Sequence, residues 1–331
     1  MNAAPTIVVA EMPEAAGRDL SIERQQLPAS ARVDTFTYRG DDGDLVAACR
    51  NADAILTDYV PFTAAVIPQL ERCRIISVAA TGWDCVDVKA AAAHGIAVSS
   101  VGEYCTAEVA DHTLALILAL NRRLLAYHEQ VQTRRDWRWS EVRGLQRLAG
   151  QALGLMGFGR IGRAVCLRAR AFGLEVLACD PQVDAATAAQ HGARLCEFDE
   201  LLASAQILSL HCNLNDSNRG LLNGAAFARM KRKPLLVNVA RGGLIVEADL
   251  VRALDSGQVS GAALDVLAQE SPDLAHHPLA GRADVLLTPH VAFYTDAALA
   301  DLRRISAQNI CAFLQGRPED VFRLVPAGVA A

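Results

Sequence analysis

Short β-branched runs alternate with Ala- and Leu-rich helical stretches almost from end to end of this chain, a pattern that leaves little room for anything but an α/β fold on parallel sheets. The first series is TIVVA, ADAILT, RIISVAA and IAVSSV, each followed by a turn or a helical segment. A long helix is then expected from Thr106 to Gln132, apolar on more faces than a surface helix needs. It is either a plain core helix or a spine between domains or subunits, and its length favours the spine. A second series follows: ALGLMGFG, EVLACD, ARLC, ILSLHC, LLVNVA, GAALDV and DVLLTPH, enough strands for a complete dinucleotide-binding domain. From about Phe293 onward the pattern is helical again and too short to form a core alone. It must pack on something built earlier, and the first series is the natural host.

At 331 residues the chain is long for one core, so two domains are expected. Hydrophobic residues at 52% and charged ones at 21% describe an ordinary globular protein. A net charge of −5 argues against nucleic acid or an anionic membrane as the main partner. One stretch, Arg134, Arg135, Trp137, Arg138 and Trp139, mixes cations with aromatic rings, but it is short and reads as a solvated loop. The N-terminal segment has no basic region ahead of an apolar run, and the nine cysteines are scattered without a C-x-x-C pair. Reduced thiols in a cytoplasm are expected, with no metal-ligand set.

The clearest local signal is Gly157-Phe158-Gly159-Arg160-Ile161-Gly162, directly after a strand-like run and directly before a helical one. In that context Gly157 permits a tight turn and Gly159 lets backbone amides approach a pyrophosphate. Gly162 allows close helix–strand packing. Eighteen residues beyond Gly162, Asp180 closes EVLACD, where an acidic side chain accepts from the adenosine ribose hydroxyls. No cation follows in Pro181-Gln182-Val183 to neutralise a 2′-phosphate, so NAD is expected over NADP. His211, ending ILSLH, either lines the adenosine side or makes a hydrogen bond in the core.

Three more residues fall just past later strands: Arg241 after LLVNVA, Glu270 after GAALDV, and His290 after LLTP. Ligands of open α/β sheets bind outside the carboxyl ends of the strands, so all three point at the crevice of the glycine loop. A 2-keto acid offers a carboxylate beside a ketone, and the planar Arg fork matches that pair. Histidine ionises nearest neutrality and suits a proton donor; a carboxylate beside it orients the ring and favours its charged form.

GFGRIG, Asp180, NVARGGLIVEADLVRAL, GAALDVLAQESP and TPHVAFYTDAAL together resemble the D-isomer-specific 2-hydroxyacid dehydrogenases over nearly the whole chain. The resemblance implies a Rossmann-type doubly wound domain, residues 104–292, inserted into a smaller flavodoxin-like α/β substrate domain made of residues 1–103 and 293–331. It implies catalytic roles for Arg241, Glu270 and His290 and a nicotinamide carboxamide contact at Asp265, with Ala240 beside the cofactor. SVAATGWDCVDV resembles the loop whose amides hold the substrate carboxylate, at Ala80, Thr81 and Gly82. SVGEYCTAEVADH resembles the entry to the interdomain helix, with Tyr104 near the substrate. The YCTAEVADH wording and the Phe293-Tyr294 pair most resemble the branch that contains the C-terminal-binding-protein corepressors. Asn213 and Ser271 depart from the commoner His-x-Pro and Glu-Pro wording, without touching the chemical groups.

The expected activity is therefore NAD-linked interconversion of a small 2-keto acid and its D-2-hydroxy acid by a homodimer. An NAD-sensing binding protein with little turnover is the alternative. Phe293, Tyr294 and Trp83 either wall the substrate side-chain pocket or pack a hinge. A glutamate at position 270 argues against formate, and the lack of a cation in SVAATGWD argues against a phosphorylated substrate.

Overall fold

A computed structural model describes residues 4–325. The chain divides into two compact units: one takes in everything up to Tyr104 together with Thr295 onward, the other runs Cys105–Tyr294.

The first unit carries β1 (Thr6–Glu11), β2 (Arg32–Thr37), β3 (Ala54–Asp58), β4 (Ile75–Val78) and β5 (Ala97–Ser100), with α1 (Ser21–Gln26), α2 (Asp42–Cys49) and α3 (Val88–Ala93) between them. All strands are parallel, in the order β2-β1-β3-β4-β5, the flavodoxin-like arrangement. Strands β4 and β5 are buried at every residue, as expected where helices cover both faces. The edge strand β2 is the exception: RVDTFT has no fully buried residue, so it lacks the apolar run that marks its neighbours. The C-terminal helix, Asp296–Leu314, belongs to this unit. The Ser77 hydroxyl donates to the Ser306 carbonyl at 3.0 Å, and the Asn309 amide donates to the Ser100 carbonyl at 3.2 Å. Two backbone bonds between Val98 and Val325 then close the edge of β5.

The second unit begins with helices. The expected single helix from Thr106 to Gln132 is two: α4 (Thr106–Asn121) and α5 (Leu124–Gln132). Arg123 sits between them with φ 52°, a left-handed conformation that ends α4 and redirects the chain. α4 is a core helix that buries Val109, Leu114, Leu116, Ile117 and Leu120. α5 buries only Gln130 and leaves Leu124 and Leu125 exposed. The sheet follows as β6 (Ala152–Met156), β7 (Glu175–Cys179), β8 (Arg194–Leu195), β9 (Ile207–Leu210), β10 (Leu235–Asn238), β11 (Gly261–Leu264) and β12 (Val285–Leu287). Interleaved are α6 (Arg160–Ala171), α7 (Ala185–Gln190), α8 (Phe198–Ser204), α9 (Gly224–Ala228) and α10 (Glu247–Asp255). The parallel order β12-β11-β10-β9-β6-β7-β8 reverses direction between β6 and β9, which places the ligand crevice there. No helix among the described residues is long and apolar enough to cross a membrane.

Candidate active site

The glycine loop leaves β6 at that reversal point. Gly157 has φ 92°, and a Cβ there would stand 2.6 Å from the Cys212 nitrogen at the end of β9. A Cβ on Gly162 would stand 2.4 Å from the Gly157 carbonyl oxygen, so α6 packs against the turn only because position 162 has no side chain. Gly159 differs: nothing lies within 4 Å of where its Cβ would be. As the N-cap of α6 it also brings no side chain to satisfy the first-turn N–H groups, and its neighbours Arg160 and Ile161 open that turn. Open space above an uncapped helix start fits a pyrophosphate. Phe158, fully buried, anchors the loop from below, a burial that contributes about 1.5–3 kcal/mol.

Asp180 is tied to the same loop. Its Oδ2 accepts from the Phe158 amide at 2.8 Å and its Oδ1 from the Gln182 amide at 2.9 Å. Each carboxylate oxygen keeps acceptor capacity for a ribose hydroxyl. His211 turns the other way. Its Nε2 meets the buried Ser209 hydroxyl at 2.9 Å, and burial pushes its ionisation down to about 3. The ring is neutral, and the residue as a whole keeps partial exposure past the end of β9.

Strands β10, β11 and β12 are neighbours in register, Asn238 beside Leu264 and Leu264 beside Leu287, so the loops after them leave the sheet side by side. Arg241, Glu270 and His290 occupy those three loops. His290 Nδ1 lies 2.8 Å from Glu270 Oε2. The hydrogen bond from His290 holds the Glu270 carboxyl below its ordinary range, with the charges of His290 and Arg241 adding to it and burial opposing. The carboxylate is therefore charged through the neutral range, and Nε2 is the ring nitrogen at which a transferable proton would sit. The Phe293 ring meets His290 edge-on at 6.2 Å, fixing the imidazole plane from a second side.

Two residues that the spacing did not single out hold these loops. Asn238, fully buried, accepts from the Ala240 amide at 3.0 Å and donates to the Arg241 carbonyl at 2.9 Å, which fixes the turn carrying Arg241. Gly242 then lets that turn touch the next: a Cβ there would stand 1.9 Å from the Leu267 carbonyl oxygen. Asp265 is the second hub. Its side chain is sealed from solvent, and its carboxylate accepts from the Thr288 hydroxyl (2.6 Å) and the amides of Val291 and Ala292 (both 2.9 Å). The resemblance gave it a nicotinamide contact; in this structure it also holds the turn that carries His290. That turn needs holding, because His290 has φ 52°, a conformation costing a side-chain-bearing residue about 1–3 kcal/mol.

The remaining candidates lie in the first unit. Ala80, Thr81 and Gly82 follow β4, with the Ala80 carbonyl accepting from the Val101 amide at 2.8 Å. Tyr104 is buried at the unit's boundary. Trp83 packs on the core of this unit with the Arg323 guanidinium 5.7 Å from its ring centre, which gives it a structural task. Tyr294, beside Phe293, is exposed.

A dinucleotide crevice with a charged Arg and a His–carboxylate pair along one lip defines a nicotinamide-dependent dehydrogenase of carbonyl acids. Comparison with known proteins carries this further. The profile of the D-isomer specific 2-hydroxyacid dehydrogenase NAD-binding domain matches residues 114–292. A glycerate dehydrogenase of Methylorubrum extorquens is 32% identical over 313 residues, covering 91% of this chain and 97% of that protein. A hydroxypyruvate reductase of Blautia hydrogenotrophica is 34% identical over 287 residues, covering 85% and 88%. A solved D-lactate dehydrogenase of Aquifex aeolicus, complexed with NAD and lactic acid, superposes with a TM-score of 0.84 at 26% identity, covering 95% of this chain and 97% of that one. The chain belongs to the D-isomer-specific 2-hydroxyacid dehydrogenase family and is an NAD-linked oxidoreductase of 2-hydroxy acids.

Proposed function

We propose that this enzyme reduces a small 2-keto acid to the D-2-hydroxy acid, with His290 as proton donor, Glu270 as its partner and Arg241 as the clamp on the substrate carboxylate and carbonyl. The observation that carries the proposal is the 2.8 Å contact between His290 Nδ1 and Glu270 Oε2, on loops that leave the same sheet as the glycine loop. NADH, when bound, supplies the hydride for the keto carbon. The glycine loop and the α6 start would hold its pyrophosphate, and Asp180 its adenosine ribose. Arg241 draws charge onto the keto oxygen, and His290 passes its proton from Nε2 to that oxygen. The Ala80–Gly82 amides and Tyr104 are the proposed substrate contacts from the first unit.

The relatives named for glycerate and hydroxypyruvate favour a short substrate chain, as does the packing of Trp83 within its own core. A panel of glyoxylate, hydroxypyruvate, pyruvate, phenylpyruvate and branched-chain keto acids, assayed with NADH, tests this. Hydroxypyruvate or glyoxylate is expected to lead. NADH binding without turnover of any of them would point instead to a cofactor-sensing binding protein of the corepressor-like branch.

The histidine's partner is tested by pH. The negative charge of Glu270 favours the protonated ring, so in Glu270→Gln the alkaline limb of keto-acid reduction is expected to move to lower pH. The maximal rate should fall less than the limb moves. An unmoved profile at saturating NADH would remove Glu270 from the role.

We further propose a cytoplasmic homodimer. Leu124 and Leu125 of α5 and, a little further along the chain, Trp137 and Trp139 at 87% and 86% exposure are large apolar side chains left open to solvent, which an interface would cover. Light scattering at micromolar concentration is expected to give twice the chain mass, and a monomer mass would overturn the assembly.

A further inference from the structure

The Asp265 hub has one neighbour that the proposed mechanism does not use. His112 sits on α4, near the start of the second unit's chain, yet its Nε2 lies 3.2 Å from the Thr288 hydroxyl and 3.7 Å from Asp265 Oδ1. The directions of these bonds follow by elimination. The sealed carboxylate only accepts, so at 2.6 Å the Thr288 hydroxyl gives its one proton to Asp265. The Thr288 oxygen then meets His112 as an acceptor, and Nε2 must carry a hydrogen. A directed chain results: His112 Nε2–H to Thr288 Oγ1, Thr288 O–H to Asp265 Oδ1.

The chain ends on the backbone of the proton donor. Asp265 receives the amides of Val291 and Ala292 on its side chain, and its own carbonyl accepts the His290 amide at 2.7 Å. The Thr288 carbonyl takes the same His290 amide at 3.0 Å. Asp265 and Thr288 thus bond the amide of His290 and the two amides that follow it, and these are the two groups that His112 faces.

We propose that His112 is a positioning residue, donating from Nε2 to lock the Thr288–Asp265 pair and thereby aim His290 at the substrate carbonyl. The proposal rests on His290 being the proton donor and adds a residue that touches neither substrate nor cofactor. Glutamine and glutamate differ at this position in one respect that matters: glutamine keeps an N–H donor of similar reach, whereas glutamate sets an acceptor against an acceptor and a carboxylate. Both are good helix formers of equal size, so a role in packing α4 would not tell them apart.

The test compares His112→Gln, His112→Glu and His290→Ala in reduction of the best keto acid from the panel, with NADH affinity from fluorescence titration. His112→Gln is expected to retain kcat within a few-fold. His112→Glu is expected to lose on the order of ten- to a hundredfold in kcat, the range that a misplacement of about an ångström produces, with NADH affinity unchanged. Thr288→Val removes the middle link without adding charge and should show the same loss, while Thr288→Ser restores it. His112→Ala, which removes the donor without adding a charge and should show the loss that His112→Gln does not, decides the matter if His112→Glu fails to fold. Equal activity in the Gln and Glu variants, or in Thr288→Val and Thr288→Ser, would overturn the positioning role. An active His290→Ala would instead overturn the proton-donor reading beneath it, so the two failures are distinct.

Discussion

His290→Ala is expected to lower kcat for keto-acid reduction by roughly 10²–10⁴-fold, the usual worth of a positioned general acid. NADH affinity should stay nearly unchanged, because the ring faces Glu270 and Phe293, apart from the glycine loop at the β6–β9 reversal. Arg241→Ala should behave differently, raising KM as well as lowering kcat, since the guanidinium acts on the bound substrate and on the polarised carbonyl alike. Stopped-flow reduction with each variant separates the two patterns. A His290→Ala enzyme within tenfold of the parent would reject the assignment of the proton donor.

The second large effect concerns the cofactor. Two backbone amides, from Phe158 and Gln182, donate to the Asp180 carboxylate and hold it in place. A 2′-phosphate in that place would meet a fixed like charge, with no Arg or Lys in Pro181-Gln182-Val183 to offset it. Such contacts cost up to several kcal/mol, and about 1.4 kcal/mol is tenfold, so NADH is expected to exceed NADPH by roughly a hundredfold in kcat/KM. Asp180→Ala should narrow the gap mainly by weakening NADH, because the ribose hydroxyls of NADH lose their acceptor. Equal use of both cofactors by the parent enzyme would contradict this.

The parts of the fold legible in the sequence are those where burial on both faces writes an unbroken apolar run. Strands β6, β9, β10 and β11 of the second unit are of that kind, as is the glycine loop with its flanking strand and helix. β2 escaped because an edge strand half open to water needs no such run, and RVDTFT has none. The break at Arg123 escaped because no glycine marks the left-handed residue there. In the site, spacing placed Arg241, Glu270 and His290 in adjacent loops, since each follows a strand end. Asn238, Thr288 and the inward turn of Asp265 depended on hydrogen bonds between segments far apart in the chain, and no local pattern encodes those. His112 is the extreme case: 176 residues separate it from Thr288, and on its helix it reads as one polar residue among many.

The contact at Gly242 bears on how such an enzyme could be retuned. With room there for a hydrogen and nothing more, the turn bearing Arg241 and the backbone at Leu267, just ahead of Glu270, lie in direct touch along a shared seam. A change that lengthens or reshapes one must be matched in the other, so the two segments are coupled through their shape. Grafting the Arg241 turn alone from a relative with different substrate preference should yield misassembled loops, whereas exchanging residues 238–270 as one block carries both faces of the seam together.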